Sequence, residues 1–241
     1  MAHTQRVERE HRGPPGAATN CHNRRMRLNL SADEVLATTR SVRKRLDFDR
    51  PVEREIVMEC LDLALQAPTG SNRQGWQWVF VEDQAKKDRL AEIYRAAFAL
   101  YRTMPRAEYD QSDTRAERMD AVIDSASYLA DNFERSPIMM IPCIQGRAEG
   151  QGGTASGAGM WGSILPAVWS MMLALRERGI GSAWTTLHLL GDGEREAAEL
   201  LGIPYDTHTQ AGLFPIAYTN GTGFKPAKRL PAEAVTHWDG W

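Results

Sequence analysis

Four short apolar runs, at 76–81, 138–144, 182–187 and 212–218, limit what this chain can fold into. Each has the length and the bounding turn residues of a strand. The stretches between them read as helices. Two helical patterns in succession, about 84–101 and 115–132, separate the first two runs. Strands and helices therefore do not alternate one for one, which predicts an α+β chain rather than a regular βαβ winding.

The helical stretches carry their own signals. Ser31 and Glu34 form a capping box that opens a helix expected to reach about Leu46. Pro51 opens a second, with Ile56, Val57, Cys60, Leu61, Ala64 and Leu65 on one face and Pro68 as its stop. Residues 146–160 hold six glycines and are expected to form a flexible loop. The stretch 164–178 is largely apolar, the pattern of a helix buried in a core or against a subunit. A short helix is expected over 194–201, and from Gly221 the chain becomes a polar tail ending in Trp238 and Trp241.

With 241 residues, 42% of them hydrophobic, the chain can bury a sizeable core as one large domain or two small ones. A net charge of -2 gives no global case for nucleic acid or a membrane surface as partner. No apolar run approaches the roughly 20 residues of a spanning helix, and the N-terminus lacks the apolar stretch of a secretory signal. Cys21, Cys60 and Cys143 are too scattered for a disulfide framework or a zinc site, so a reducing cytoplasm is the expected setting. Residues 1–27 carry six arginines against two glutamates and are broken by Gly13, Pro14, Pro15 and Gly16. They read as a disordered basic extension to a single domain, 28–241, with a nucleic-acid or membrane tail as the alternative.

Catalytic side chains are hard to find. The chain has no phosphate-binding P-loop, no nucleophile elbow and no H-E-x-x-H, and its six histidines show no metal-ligand spacing. Gly150-x-Gly152-x-x-Ala155 matches a dinucleotide-binding pattern. Its strand ends too early, though, and too many glycines follow for a helix to open there. His188, just past a strand, reads as a structural histidine with a satisfied hydrogen bond. If the chain is an enzyme, a cofactor carries the reactive atom. Two basic clusters could grip an anion. Arg40 and Arg43 are three apart, nearly on one face of the expected helix, with Ser41 beside them; Lys228 and Arg229 lie near the C-terminus. Each alone also reads as a solvated basic surface. The run APTGSNRQGWQW at 67–78 adds amides, hydroxyls and a guanidinium in one turn before two tryptophans.

Taken in order, TRSVRKRLDFDRPV, APTGSNRQGWQW, LALRERGIGSAWTTLHLL and PAKRLP resemble the FMN-dependent nitroreductase family over about residues 30–241, with actinobacterial-type members as the nearest likeness. The resemblance implies an α+β fold with a central, mostly antiparallel sheet flanked by helices, in an intertwined homodimer with FMN at the interface. It implies that Arg40, Ser41 and Arg43 hold the FMN phosphate and ribityl chain, closed on by Lys228 and Arg229. Pro68, Thr69 and Gly70 would lie along the flavin, with Asn72 and Gln74 positioning it. Trp184, Thr185 and Thr186 would cover the ring, while Trp76 and Trp78 support it from the core. Thr39 stands where the family often has another arginine, so the phosphate grip is expected to lean on Arg43, Lys228 and Arg229. The implied activity is ping-pong reduction of nitroaromatics, quinones or related small acceptors by NADPH or NADH, with no catalytic side chain. Rival readings are a flavin carrier or sensor, a reductase with another donor such as a deazaflavin, and a reductive dehalogenase. The dehalogenase lid uses Glu, Tyr and Lys. Glu108 and Tyr109 are present here, but no lysine lies between Lys87 and Lys225.

Overall fold

A computed structural model describes residues 26–105, 116–149 and 153–241. Among these residues six helices and six strands follow in chain order: α1 (Ala32–Thr38), β1 (Leu46–Asp47), α2 (Arg54–Ala64), β2 (Trp76–Val81), α3 (Gln84–Tyr101), α4 (Met119–Asn132), β3 (Ile138–Gln145), α5 (Thr154–Glu177), β4 (Ile180–Ser182), α6 (Gly193–Leu201), β5 (His208–Gln210) and β6 (Phe214–Thr219). The main path of the sheet runs β1-β6-β3-β2, with β4 on β6 and β5 on β3. All five strand pairings are antiparallel. The expected α+β class with a mostly antiparallel sheet is the architecture observed.

β3 explains the layering. Its residues are buried from Ile138 to Ile144, and they alternate between two cores. Ile138, Met140 and Ile144 pack with α2 and α5 on one face of the sheet. Met139, Ile141 and Cys143 pack with α3, α4 and α6 on the other. A strand covered on both faces must be apolar throughout, which is why the sequence shows a continuous run instead of alternation.

Several boundaries differ from expectation, each for a physical reason. The Ser31–Glu34 capping box is present, with the Glu34 carboxylate accepting from Ser31 N and the Ser31 hydroxyl accepting from Glu34 N. The helix nevertheless ends at Thr38, where the Thr39 backbone turns extended. Residues 40–45 are therefore not helical: Ser41 bridges Ser182 in parallel, and Val42 N donates to Ser182 O at 2.8 Å. Tertiary pairing outcompetes local propensity there. The glycine-rich stretch is not all loop. α5 opens at Thr154 after Gly153, whose φ of 93° only glycine adopts readily. That removes one objection to the dinucleotide pattern, although Gly150 and Gly152 lie outside the described residues. The expected strand 182–187 is displaced: β4 occupies Ile180–Ser182, and Leu187–Leu189 is a single 3-10 turn. β1 and β5, two and three residues long, were too short to read.

Residues 1–25 of the expected extension lie outside the described residues. Its last two residues are placed: Met26 packs beside the α2–α5 core, and Arg27 lies 3.9 Å from Glu59. The next three anchor on the end of α5, where the Glu177 backbone accepts from Leu28 N and its carboxylate from Asn29 N and Leu30 N.

Candidate functional site

The singled-out residues collect in two places. The first is built by the non-helical segment 39–45, which turns at Lys44 and Arg45, and the segment after β4. Pairing with β4 sends Val42 inward and leaves its neighbours to point elsewhere. Arg40 Nε and Nη2 and Arg43 Nε are shielded from solvent yet have no hydrogen-bond partner, as does the Ser182 hydroxyl. Arg43 Nη1 makes a long contact, 3.4 Å, to Ser125 Oγ. Burial lowers the Arg40 pKa, and Arg118, Arg229 and Arg45 lower it further. Each of these three neighbours is a guanidinium. Arg229, nearly two hundred residues away in sequence, thus lies near enough for its charge to act on Arg40. A concentration of buried, unpartnered N–H groups beside like charges has the chemistry an anion would satisfy.

After β4, Thr185 bridges Leu213, its hydroxyl donating to Leu213 O at 2.7 Å and its carbonyl accepting from Leu213 N at 2.9 Å. Trp184 Nε1 donates to Ala211 O at 3.1 Å, and its ring lies 5.4 Å from that of Phe214. The chain approaches so closely that a Cβ on Gly212 would lie 2.9 Å from Thr185 O. Thr186 is left exposed. Arg43, Trp184, Thr185 and Thr186 line a cleft of about 400 Å³ whose other wall is Tyr94, Phe98 and Tyr101 of α3 and Met119, Val122 and Ile123 of α4.

The second place is a cleft of about 480 Å³ lined by Thr69, Gly70, Ser71, Arg73 and Gly75, with Ser156, Gly159 and Ser163 of α5. Ser71, Asn72 and Gln74 have φ of 53°, 53° and 49°, the left-handed region. Each costs on the order of 1 kcal/mol, so surrounding contacts must impose the shape. Gly70 N donates to Ser163 Oγ, Gln74 N to Thr69 Oγ1, and Gln74 Nε2 to Asn72 Oδ1. Pro68, Asn72 and Gln74 are exposed. Trp76 is buried in the α2–α5 core and Trp78 packs against it, in keeping with their expected support role.

These two clefts open on opposite faces of the sheet, the first against α3 and α4, the second against α5. No described residue lines both clefts: residues 69–70 line one, and Arg43, Trp184, Thr185 and Thr186 the other, although Trp184 also packs against the α2–α5 core. Lys228 and Arg229 are exposed on the tail.

Among the described residues no nucleophile set emerges. Burial pushes the Cys60 thiol up to about 11 and the Cys143 thiol up to about 12. His188 is fully buried; Nε2 faces Gln210 Oε1 at 3.1 Å, while Nδ1 has no partner, so it is half satisfied. Burial pulls its pKa down to about 4. Among the described residues no His, Cys, Asp and Glu group is placed to hold a metal ion. Glu108 and Tyr109 lie outside the described residues. The sequence reading missed Ser163, Arg118 and the aromatic wall of α3. A lone serine in a glycine-rich run and an aromatic stripe on an amphipathic helix carry no local signal of a cleft.

The family model described as "Nitroreductase family" matches residues 36–218. The chain belongs to the nitroreductase family. An NADH dehydrogenase of Thermus thermophilus is 28% identical over 222 residues, covering 87% of this chain and 96% of the other. Among solved structures, an FMN and NADPH-dependent nitroreductase from Sphigopyxis sp. strain HMH aligns with a TM-score of 0.64 at 23% identity, covering 88% of this chain and all of the other. An iodotyrosine deiodinase bound to FMN and 3-iodo-L-tyrosine aligns with a TM-score of 0.61 at 18% identity, covering 84% of this chain and 96% of the other. At these identities the two structures speak for the fold of this nitroreductase-family chain. The actinobacterial affinity has no counterpart among these relatives.

Proposed function

We propose that this nitroreductase-family oxidoreductase binds FMN and uses NADPH or NADH to reduce nitroaromatic, quinone or related acceptors. The observation that carries the reading is the set of buried, unpartnered N–H groups on Arg40 and Arg43, with Arg229 drawn to the same place. A dianionic phosphate answers all of them. Arg40, Ser41 and Arg43 would hold the phosphate end, with Lys228 and Arg229 closing over it. FMN, when bound, supplies the atom that accepts and returns hydride.

The chain's own residues then orient and shield. Trp184, Thr185 and Thr186 would wall one side of the ring, held rigid by the Thr185–Leu213 and Trp184–Ala211 hydrogen bonds. Guanidinium charge stabilises electron-rich states nearby. Pro68, Thr69, Gly70, Asn72 and Gln74 face the other cleft, so they would serve a flavin held mainly by a second copy of the chain. A homodimer follows from this division. α5 supports it: the helix is apolar and long enough to cross a membrane by length and composition, yet 44% of its most apolar window is buried within one chain. Covering the remainder against a partner subunit, in a cytoplasmic protein, accounts for it.

Donor and acceptor taking turns at one place predict parallel lines in double-reciprocal plots. The deciding test is an absorption spectrum of the purified protein before and after anaerobic NADPH, then NADH. Flavin bands that bleach with either donor are expected. Bound flavin that neither donor bleaches would favour a carrier or another donor, and a colourless protein that takes up no FMN would sink the proposal.

A further inference from the structure

The C-terminal tail leaves the sheet at Thr219 and is mostly exposed thereafter. Four successive carbonyls at its root are captured by two guanidiniums. Arg45 donates from Nε to Asn220 O (3.0 Å), from Nη2 to Gly221 O (2.6 Å) and from Nη1 to Gly223 O (2.9 Å). Arg176, buried near the end of α5, donates from Nη2 to Thr222 O (3.1 Å) and from Nε to Thr38 Oγ1 (3.3 Å). The Phe224 ring packs against both, 4.1 Å from the Arg45 guanidinium carbon and 5.0 Å from that of Arg176. Asn220 N also returns a bond to Arg45 O at 2.8 Å. The root is specialised for this grip: Gly221 has φ of 76°, and a Cβ there would come within 3.0 Å of Arg45 Nη2.

Beyond Phe224 the grip stops. Between described residues, the hydrogen bonds of the tail past that point stay within it: Arg229 Nη1 to Lys228 O, Ala234 N to Pro231 O and Thr236 Oγ1 to Ala232 O. Two cations bound into the fold therefore hold the root, and two further cations stand a few residues on. Lys228 lies five positions beyond Gly223, a reach of at most roughly 17 Å. Fixing the root confines Lys228 and Arg229 to the neighbourhood of Arg40 and raises their effective concentration there. A guanidinium fork suits the task, because it can bind several carbonyls in fixed directions while its face lies on an aromatic ring.

We propose that Arg45, Arg176 and Phe224 form a clamp on the root of the C-terminal arm, positioning Lys228 and Arg229 over the phosphate end of the bound ligand. The inference rests on the flavin reading above. It makes selectivity for the phosphorylated flavin depend on residues that need not touch the phosphate.

Three variants of the full-length chain test it without changing net charge: Arg45→Lys, Phe224→Ala and Gly221→Ala. FMN and riboflavin affinities are measured by fluorescence titration, and arm order by the rate of tryptic cleavage between Lys228 and Leu230. Each variant is expected to weaken FMN about tenfold while riboflavin stays within about twofold, with faster release of the C-terminal fragment. Equal losses for both flavins would reduce the clamp to a general brace and overturn the inference. An unchanged FMN-to-riboflavin ratio in all three would also overturn it, leaving the flavin reading intact. A wild-type protein that takes up no FMN would sink the flavin reading and the phosphate role together. If one variant fails to fold, the other two decide.

Discussion

The two faces of the sheet solve burial differently. On the α3, α4 and α6 face the core is closed within one chain by a buried polar network. Arg147 pairs with Glu194 and caps Tyr205 O and His208 O; Glu194 accepts from Gln210 N, and Gln210 reaches His188. On the α2 and α5 face, Trp161, Leu165, Trp169 and Leu173 recur every four residues along α5 and each stays part-exposed, while Met58 and Leu63 of α2 are half exposed. A polar network with most of its groups paired, His188 Nδ1 excepted, marks an interior built within one chain. A helix stripe of large apolar side chains left open marks an unfinished one. The homodimer proposed above would account for the difference, because the open stripe on α5 is the surface a second copy would cover.

Leu173→Lys should separate them most sharply. In an isolated chain an ammonium at this part-exposed position would reach water with little cost. In a dimer covered along α5 it would be desolvated without a partner, at a cost on the order of 3 kcal/mol or more. Sedimentation should show the variant as monomer where the wild type is dimer, and the monomer should lose its flavin because the cleft at 69–75 would no longer meet the one at 184–186. A dimeric, flavin-loaded variant would break the comparison.

The closed face should be the one that acid opens. His188 is neutral in the fold, with its pKa pulled from 6.5 down to about 4 by burial, although its bond to Gln210 acts the other way. Below pH 6.5 the unfolded chain takes up the proton first, so stability present above that value is lost as pH falls toward 4. The loss amounts to about 3 kcal/mol for this group. Urea melts from pH 7 to 4 should show the decline, and His188→Asn should flatten it. A slope unchanged in the variant would show that His188 does not carry the acid sensitivity.

Arg43→Ala probes the anion side of the same face. A charge-assisted contact contributes about 1.5–3 kcal/mol, so FMN affinity should fall roughly 10- to 150-fold with little change in melting temperature. Full FMN retention would remove Arg43 from the phosphate site.

How much of this was legible in the sequence depended on whether a feature was local. The α3 and β2 boundaries were readable because capping and periodicity are local; Asp83 accepts from Lys86 N at the start of α3. The class of the fold followed from the order of the apolar runs. What failed was set by partners distant in the chain. Residues 40–45 carry a helical pattern, but Ser41 and Val42 bond to Ser182 at the end of β4 instead. α5 opened through glycines that argue for loop, because its face packs on α2 and β3. Candidate site residues were nameable by resemblance. Their division between two faces was invisible, since it depends on which side of β3 each flanking helix crosses.

The smallest predicted effect tests how firmly the open face holds its half of the site. Ser163 Oγ accepts from Gly70 N at 2.9 Å and donates to Gly159 O at 2.6 Å, joining the 69–75 turn to α5. Ser163→Ala removes the acceptor and leaves a part-buried N–H unpaired, a cost of about 1 kcal/mol. Because Ser71, Asn72 and Gln74 are held in the left-handed region, that loss should release the turn more than it destabilises the chain. Amide exchange at residues 70–74 should quicken by about fivefold while exchange in β3 stays unchanged. If exchange in β3 quickens to the same degree, the turn is part of the core's cooperative unit and not a separately held edge of the cleft.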